Sequence, residues 1–343
     1  MMIGFANRVV CLTPARHMNL LFRWALASIG VKRTHMTLFD VYAYGVISSS
    51  TLHLLTNSFP SPDGYAEISQ TYSMTGGEAL NSAIVLSRLG VRVQLDGNWL
   101  GDTEEGRQLL KTIQQYPIDI RRLTIKKGYG GVKEIVFSDE ESRTIFGNYL
   151  DLLFTTRKWN IPRKVDIAQA QIVSVDPPFQ TESALVGKYA TQLCIPFVSI
   201  DCSYDQSLAT EAAVVIISGE YRHREYPQVK VDELFSEYQN RAKGLVVFTV
   251  GDKEVLYGRS GEDCKKFNPY RVKVVDSAGA GDSFRAGIIY GLLNKWDDEK
   301  IIQYASAVAG LVCASFPGVL RSPTHMEVMN FIEIETERMK SSL

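Results

Sequence analysis

VVDSAGAGDSFRAGIIYGLL, residues 274–293, is the stretch on which the reading of this chain turns. A short apolar run, expected as a strand, leads into a turn of small residues and then into a long apolar helix. Gly279, Ala280 and Gly281 carry little or no side chain, so successive backbone N–H groups there close around a phosphoryl group at the positive end of the helix dipole. Asp282 falls in the first helical turn, beside that anion pocket. A carboxylate so placed takes the proton of an attacking hydroxyl. With an ordinary pKa of about 4 it acts late, in a loose transition state, and positioning supplies most of the rate. The same pattern also has a purely structural explanation: small-residue turns are common, and the dipole favours an acidic residue in a first turn without any catalysis. These residues by themselves leave both explanations open.

Working outward, strand-like runs recur at AQIVSVD (170–176), IPFVSID (195–201), AAVVIIS (212–218) and GLVVFTV (244–250), each separated by a segment able to form a helix. Such alternation implies βαβ units and a parallel sheet, and near-continuous apolar runs suit strands covered on both faces. Near the start, TLFDVYAYGVISSS (37–50) reads as a first strand ending in a turn at Gly45. Residues 51–75 read as a turn and a half-exposed strand, and 129–150 as a hairpin around DEES that pairs with it. Between these, Gly77 to Leu89 carry apolar residues at helical spacing, stopped by Gly90. From Ala280 to Ser315 the pattern is helical.

The whole chain has 343 residues, 45% hydrophobic and 22% charged, with a formal net charge of -1. That describes an ordinary globular chain with no strong electrostatic partner, so neither nucleic acid nor a membrane is expected as partner. Cys11, Cys194, Cys202, Cys264 and Cys313 are odd in number and scattered, which fits a reducing cytoplasm better than a disulfide framework or a zinc site. No apolar run reaches the ~18 residues that span a bilayer. Residues 1–35 differ: Arg8, Arg16, Arg23, Lys32 and Arg33 occur with no acidic residue before Asp40. That composition is shared by organelle presequences. The preferred reading is a basic extension outside the catalytic fold, with Met36 as a candidate natural start.

The segment DSAGAGDSF at 276–284 is similar to the D-T-x-G-A-G-D-x-F signature of PfkB/ribokinase-type carbohydrate kinases, with Ser277 in place of Thr. A second segment agrees. TGGEALNSAIVLSRLG (75–90) resembles the family's G-G-x-x-x-N-x-A helix motif, and GNWLGDTEEG (97–106) resembles the G-x-x-G-x-D-x-x-G that follows it. The resemblance covers roughly residues 37–335. It implies a ribokinase-like three-layer α/β/α sandwich with a mostly parallel central sheet. A small β lid would come from about 51–75 and 128–150, within a kinase domain of 36–335 and before a tail of 336–343.

What the family implies for the site follows residue by residue. Asp282 is the base, and the amides of Gly279, Ala280, Gly281 and Asp282 form the hole for the transferring phosphoryl, with Asp276 supporting the turn or the metal's water shell. Gly76 and Gly77 let the backbone approach the acceptor, and Asn81 hydrogen-bonds it. Asp102 either contacts substrate or caps the next helix. The nucleotide is expected against Thr249, Gly251, Ser277, Gly279, Gly281 and Gly318, with Lys253 near its phosphates. Phe146 and Tyr149 press on the substrate or pack within the lid. ATP, Mg2+ and a monovalent cation are the implied cofactors, and a homodimer through the lids is the implied assembly.

Two departures stand out. Where many such kinases end strand one with G-x-x-x-x-D, whose Asp grips two sugar hydroxyls, this chain has Gly45 followed by Ser50. A single hydroxyl replaces charge-assisted hydrogen bonds worth about 1.5–3 kcal/mol each. Asp176, ending the AQIVSVD strand, is the candidate replacement. The family's N-x-x-E motif is here represented by SGEYRHRE, which leaves Glu220 to order Mg2+ through water while His223 is a poor ligand for that ion. The expectation is ATP-dependent phosphorylation of a sugar or sugar derivative. The alternatives are a nucleoside kinase or a catalytically silent sugar- or nucleotide-binding protein of the same fold.

Overall fold

The computed structural model describes residues 37–139, 143–251 and 253–341, the side chains of 339–341 excepted. The expectations for the basic extension of residues 1–35 and for Met36 lie outside the described residues. Val/Ile-rich runs form the middle of a nine-stranded sheet. Its spatial order is Lys265–Phe267, Val255–Gly258, Leu245–Thr249, Val214–Ile217, Phe197–Ile200, Ile172–Val175, Val41–Gly45, Val93–Gly97 and Ile118–Asp119. Every pairing is parallel except the two that carry the strands Val255–Gly258 and Lys265–Phe267 at one edge.

The first strand shows why the sheet is a middle layer. Val41 and Ala43 face one apolar core, Tyr42 and Tyr44 face another, and all are fully buried. The first core takes most of its helical residues from Glu78–Arg88, Ala280–Leu293 and Asp298–Cys313, and the second takes many of its own from Thr181–Gln192 and Val231–Arg241. Each buried Val, Leu or Ile side chain contributes about 1.5–3 kcal/mol to holding these layers together.

The strand order also locates the site. After Val41–Gly45 the chain builds outward to Val93–Gly97 and Ile118–Asp119. It then returns to the other side of the first strand at Ile172–Val175. The order therefore reverses between the strands ending at Gly45 and Val175, and a crevice opens beyond the carboxyl ends at such a switch point.

A second, four-stranded sheet joins this edge, in the order Ile68–Gly76, Ser48–Leu55, Lys133–Ser138, Arg143–Gly147. The expected hairpin is present as the last two of these, but its partner differs from expectation. It pairs in parallel with Ser48–Leu55, which lies between it and Ile68–Gly76. The serine-rich SSSTLHLL carries little apolar alternation, so its strand character was hidden. The expected strand before the glycine turn does not form. Val274 and Val275 are 59% and 55% exposed, and the N–H groups of Val275 and Asp276 both go to the carbonyl of Cys313, at 2.8 and 3.1 Å. The segment is pinned to the end of the helix Asp298–Cys313 instead of joining a sheet. The boundary expected at 335 falls inside the helix His325–Ser341.

Candidate active site

The helix Ala280–Leu293 begins at Gly279, which has φ 74° and offers no side-chain cap; Ala280 N–H donates weakly to the Ser277 carbonyl at 3.3 Å, and no side chain covers the first turn's other amides. Only glycine fits there: a β-carbon would fall 2.4 Å from Val319 Cγ2. Asp276 holds the preceding turn, accepting from Ala278 N–H at 2.9 Å and Gly318 N–H at 3.2 Å. Asp282 is buried, and its Oδ2 accepts from Asn81 Nδ2 at 2.9 Å. Thr75 Oγ1 in turn donates to Asn81 Oδ1 at 3.2 Å, which fixes the amide's orientation. Burial pushes the Asp282 carboxyl up to about 6. Arg285 and Asn81 pull the other way, and Asp176 and Glu134 reinforce the rise.

Asn81 reaches Asp282 because its helix starts hard against the first strand's loop. Gly77 has φ 86°, and a β-carbon there would lie 2.4 Å from the carbonyl oxygen of Val46. Arg285, one turn after Asp282 and fully buried, ties the elements together. Its Nη2 donates to Glu78 O at 2.6 Å, its Nε and Nη2 to Ser82 Oγ at 3.0 and 2.9 Å, and its Nη1 to Asp176 Oδ1. Ser82 Oγ donates onward to the carbonyl of Asp282 at 3.1 Å. Sequence reasoning passed over Arg285 and Glu78. Arg285 sat inside a run read as apolar helix, and a lone charge in such a run was the available signal. Burial, with Asp176 and Asp282 nearby, pushes the Glu78 carboxyl well up, and its Oε2 has no hydrogen-bond partner.

Of the residues singled out from sequence, Gly279 and Asp282 meet Asn81, Gly76 lies against Ser48 and Glu134, Ser50 pairs with Glu134, and Gly77 abuts Val46 at the crevice, with Ala280 and Gly281 opening the helix beside Asp282. Asp176 lies beneath the crevice, 1% exposed, with Oδ1 on Arg285 and Oδ2 accepting from Val46 N–H at 2.9 Å. Both oxygens of the candidate acceptor carboxylate are thus engaged by the protein. Asp102 lies to one side, half-exposed and 3.2 Å from Arg107. The cap of the following helix is Thr103, whose side chain accepts from Gly106 N–H, so Asp102 does not have that role. Thr249 ends its strand, Gly251 follows with φ 60°, and Ser277 and Lys253 are exposed. Glu220, in the first turn of Gly219–Glu225, is 89% exposed and 3.9 Å from Arg143. His223 is held by its own helix, Nδ1 lying 2.6 Å from Gly219 O. Among the described residues no group of three or more acidic, His or Cys side chains gathers as a metal site.

A helix start without a side-chain cap, carrying in its first turn a buried carboxylate oriented by Asn81, suits a kinase of small hydroxylated molecules. Residues 43–219 and 221–324 match the pfkB family carbohydrate kinase pattern, and the chain belongs to that family. It is 22% identical over 285 residues to a ribokinase of Lactococcus lactis, covering 79% of this chain and 90% of that one. It is 27% identical over 272 residues to a nucleoside kinase of Methanothermobacter thermautotrophicus, covering 76% and 84%. The fold matches the Arabidopsis thaliana ribokinase structure complexed with ribose and ATP at a TM-score of 0.71 and 14% identity, over 86% of this chain and 98% of that one. The chain is a carbohydrate kinase on a ribokinase fold.

Proposed function

We propose that the protein transfers the γ-phosphoryl group of ATP to a hydroxyl of a sugar or sugar derivative, with Asp282 as the base. The observation that carries this reading is the buried Asp282 carboxylate, oriented by Asn81 at 2.9 Å in the first turn of a helix whose amides no side chain caps. The acceptor oxygen attacks phosphorus as its proton passes to Asp282. The bond from phosphorus to the β,γ-bridging oxygen breaks, and ADP leaves. Charge building on the equatorial oxygens meets the N–H groups of Gly279 to Asp282 and the helix dipole. A carboxyl raised to about 6 is a stronger base than an ordinary aspartate and is still largely ionised at neutral pH.

Mg2+ suits the site chiefly through the nucleotide's own oxygens, since that ion keeps several waters and needs few protein carboxylates. Glu220, exposed at the end of the neighbouring strand, would act through such a water. Thr249, Gly251, Ser277 and Gly318 would border the nucleotide. Cys202, Cys264 and Cys313 carry free thiols, which supports a cytoplasmic setting, and among the described residues no helix is long and apolar enough to cross a membrane. The test is ADP release from Mg-ATP over ketoses, aldoses, amino sugars, sugar acids and nucleosides, with Asp282→Asn as control. One strong acceptor, lost in the control, is the expected result. Full activity in the control would remove Asp282 from the chemistry.

A further inference from the structure

The acceptor side of the crevice lacks a carboxylate at position 50, and Asp176 is committed to Arg285 and Val46. A different carboxylate stands in that place. Parallel pairing of Ser48–Leu55 with Lys133–Ser138 sets Ser50 opposite Glu134, and paired residues on adjacent strands point to the same face. Glu134 Oε1 accepts from Ser48 Oγ at 3.0 Å and from the Tyr149 hydroxyl, so two donors fix the group's orientation. Its Oε2 lies so close to Gly76 that a β-carbon there would fall 2.3 Å away. Among the described residues no donor reaches that oxygen. Gly76 leads directly into Gly77, Glu78 and Asn81, the wall that ends at Asp282.

We propose that Glu134 is the acceptor-gripping residue of this kinase. Its Oε2 accepts from a hydroxyl or ammonium group of the sugar and replaces, from the neighbouring strand, the carboxylate that Ser50 does not supply. This rests on the kinase reading above. It also sets the charge of the acceptor. Glu134 and Glu78 lie near Asp282, and Arg285, the cation beside Asp282 and Glu78, is buried against Asp176. A neutral or cationic sugar meets complementary charge there, whereas a sugar acid or sugar phosphate meets like charge in a partly dry site.

Glu134→Gln keeps an oxygen for Ser48 and Tyr149 while removing the charge and one acceptor. The measurement is steady-state ADP release with D-ribose, D-fructose, D-glucosamine, D-gluconate and D-ribose 5-phosphate at saturating Mg-ATP. The best acceptor should be neutral or cationic. Glu134→Gln should raise its KM about 10- to 100-fold with kcat nearly unchanged, the range expected for a lost charge-assisted hydrogen bond. The double variant Ser50→Asp/Glu134→Gln should recover part of that loss by moving the carboxylate one strand over, a rescue that a merely structural role would not produce. A KM within about twofold of wild type in Glu134→Gln, or an anionic sugar as best acceptor, would overturn the inference while leaving the kinase reading intact. Silence over the whole panel would overturn both.

Discussion

The proposed phosphoryl corner from Ser277 to Asp282 and the proposed acceptor wall of Ser50, Gly76 and Glu134 are built differently. The corner is a contiguous segment whose geometry follows from its own backbone: a left-handed Gly279, an uncapped helix start, a carboxylate in the first turn. The wall is assembled across separate strands, and its composition depends on which residue pairs with which. Contiguous chemistry is constrained as a unit. Chemistry distributed over a sheet lets a carboxylate disappear at one position and return at another, provided both project to the same face.

The corner should therefore be the less forgiving half. Asp282→Asn is expected to lower kcat by about 10²–10⁴ while ATP binding is nearly unchanged, because the amide keeps the shape and loses the proton acceptor. Single-turnover kinetics beside an ATP titration would separate the two. A loss of ATP affinity equal to the loss of rate would mean that the residue shapes the pocket and moves no proton.

Arg285 joins the two halves, and its loss should be the largest effect on stability. Arg285→Met leaves the Asp176 charge buried without its partner, a change that typically costs about 3–5 kcal/mol. Adding Asp176→Leu should restore most of it, since an apolar replacement of a whole buried pair is often neutral. Chemical denaturation of the three variants tests this. Equal destabilisation by the single and double changes would show that the pair's hydrogen bonds to Ser82, Glu78 and Val46 matter more than its charge balance.

The same contrast explains what could be read in the sequence. The strands Ile172–Val175, Phe197–Ile200, Val214–Ile217 and Leu245–Thr249 are apolar on both faces, and a run of Val and Ile bounded by turn residues has few other fates. The motif around Gly279 was legible for the same local reason. Glu134 was not, because no spacing along the chain says that it lies beside Ser50; only the register does. Asp176 was ambiguous for a related reason. It ends a strand at the switch point, where ligands bind, but its partner Arg285 comes from a helix more than 100 residues away. Val274 and Val275 show the converse, strand-forming residues left exposed because their segment is held to the end of a helix and joins no sheet.

A smaller effect should appear in the pH profile. As the proposed base, Asp282 must be ionised, so kcat/KM should rise with pH through an acid limb near the raised value of about 6. Asp176 and Glu134 raise that value and Arg285 lowers it. The limb should move to lower pH in Asp176→Asn and in Glu134→Gln, and to higher pH in Arg285→Met. Three variants, two directions: a general loosening of the site would not produce opposite shifts, and limbs that stay put would detach Asp282 from the observed titration.

Glu78 supplies the smallest test and the one that most directly probes the wall's charge. Its carboxyl is raised by burial and by Asp176 and Asp282, from an ordinary 4.5. A carboxyl whose pKa is higher in the folded state binds more protons there than in the unfolded chain. Its contribution to stability is therefore fully present below 4.5 and is lost as pH rises toward the native value. Glu78→Gln removes that loss. Thermal unfolding of wild type and variant should give similar Tm at pH 4.5 and diverge as pH rises, with the variant the more stable at pH 8. Parallel curves would mean that Glu78 ionises in the folded protein as easily as in the unfolded chain. The wall would then carry a further full negative charge at neutral pH, and discrimination against anionic acceptors should be stronger than Glu134 and Asp282 alone provide.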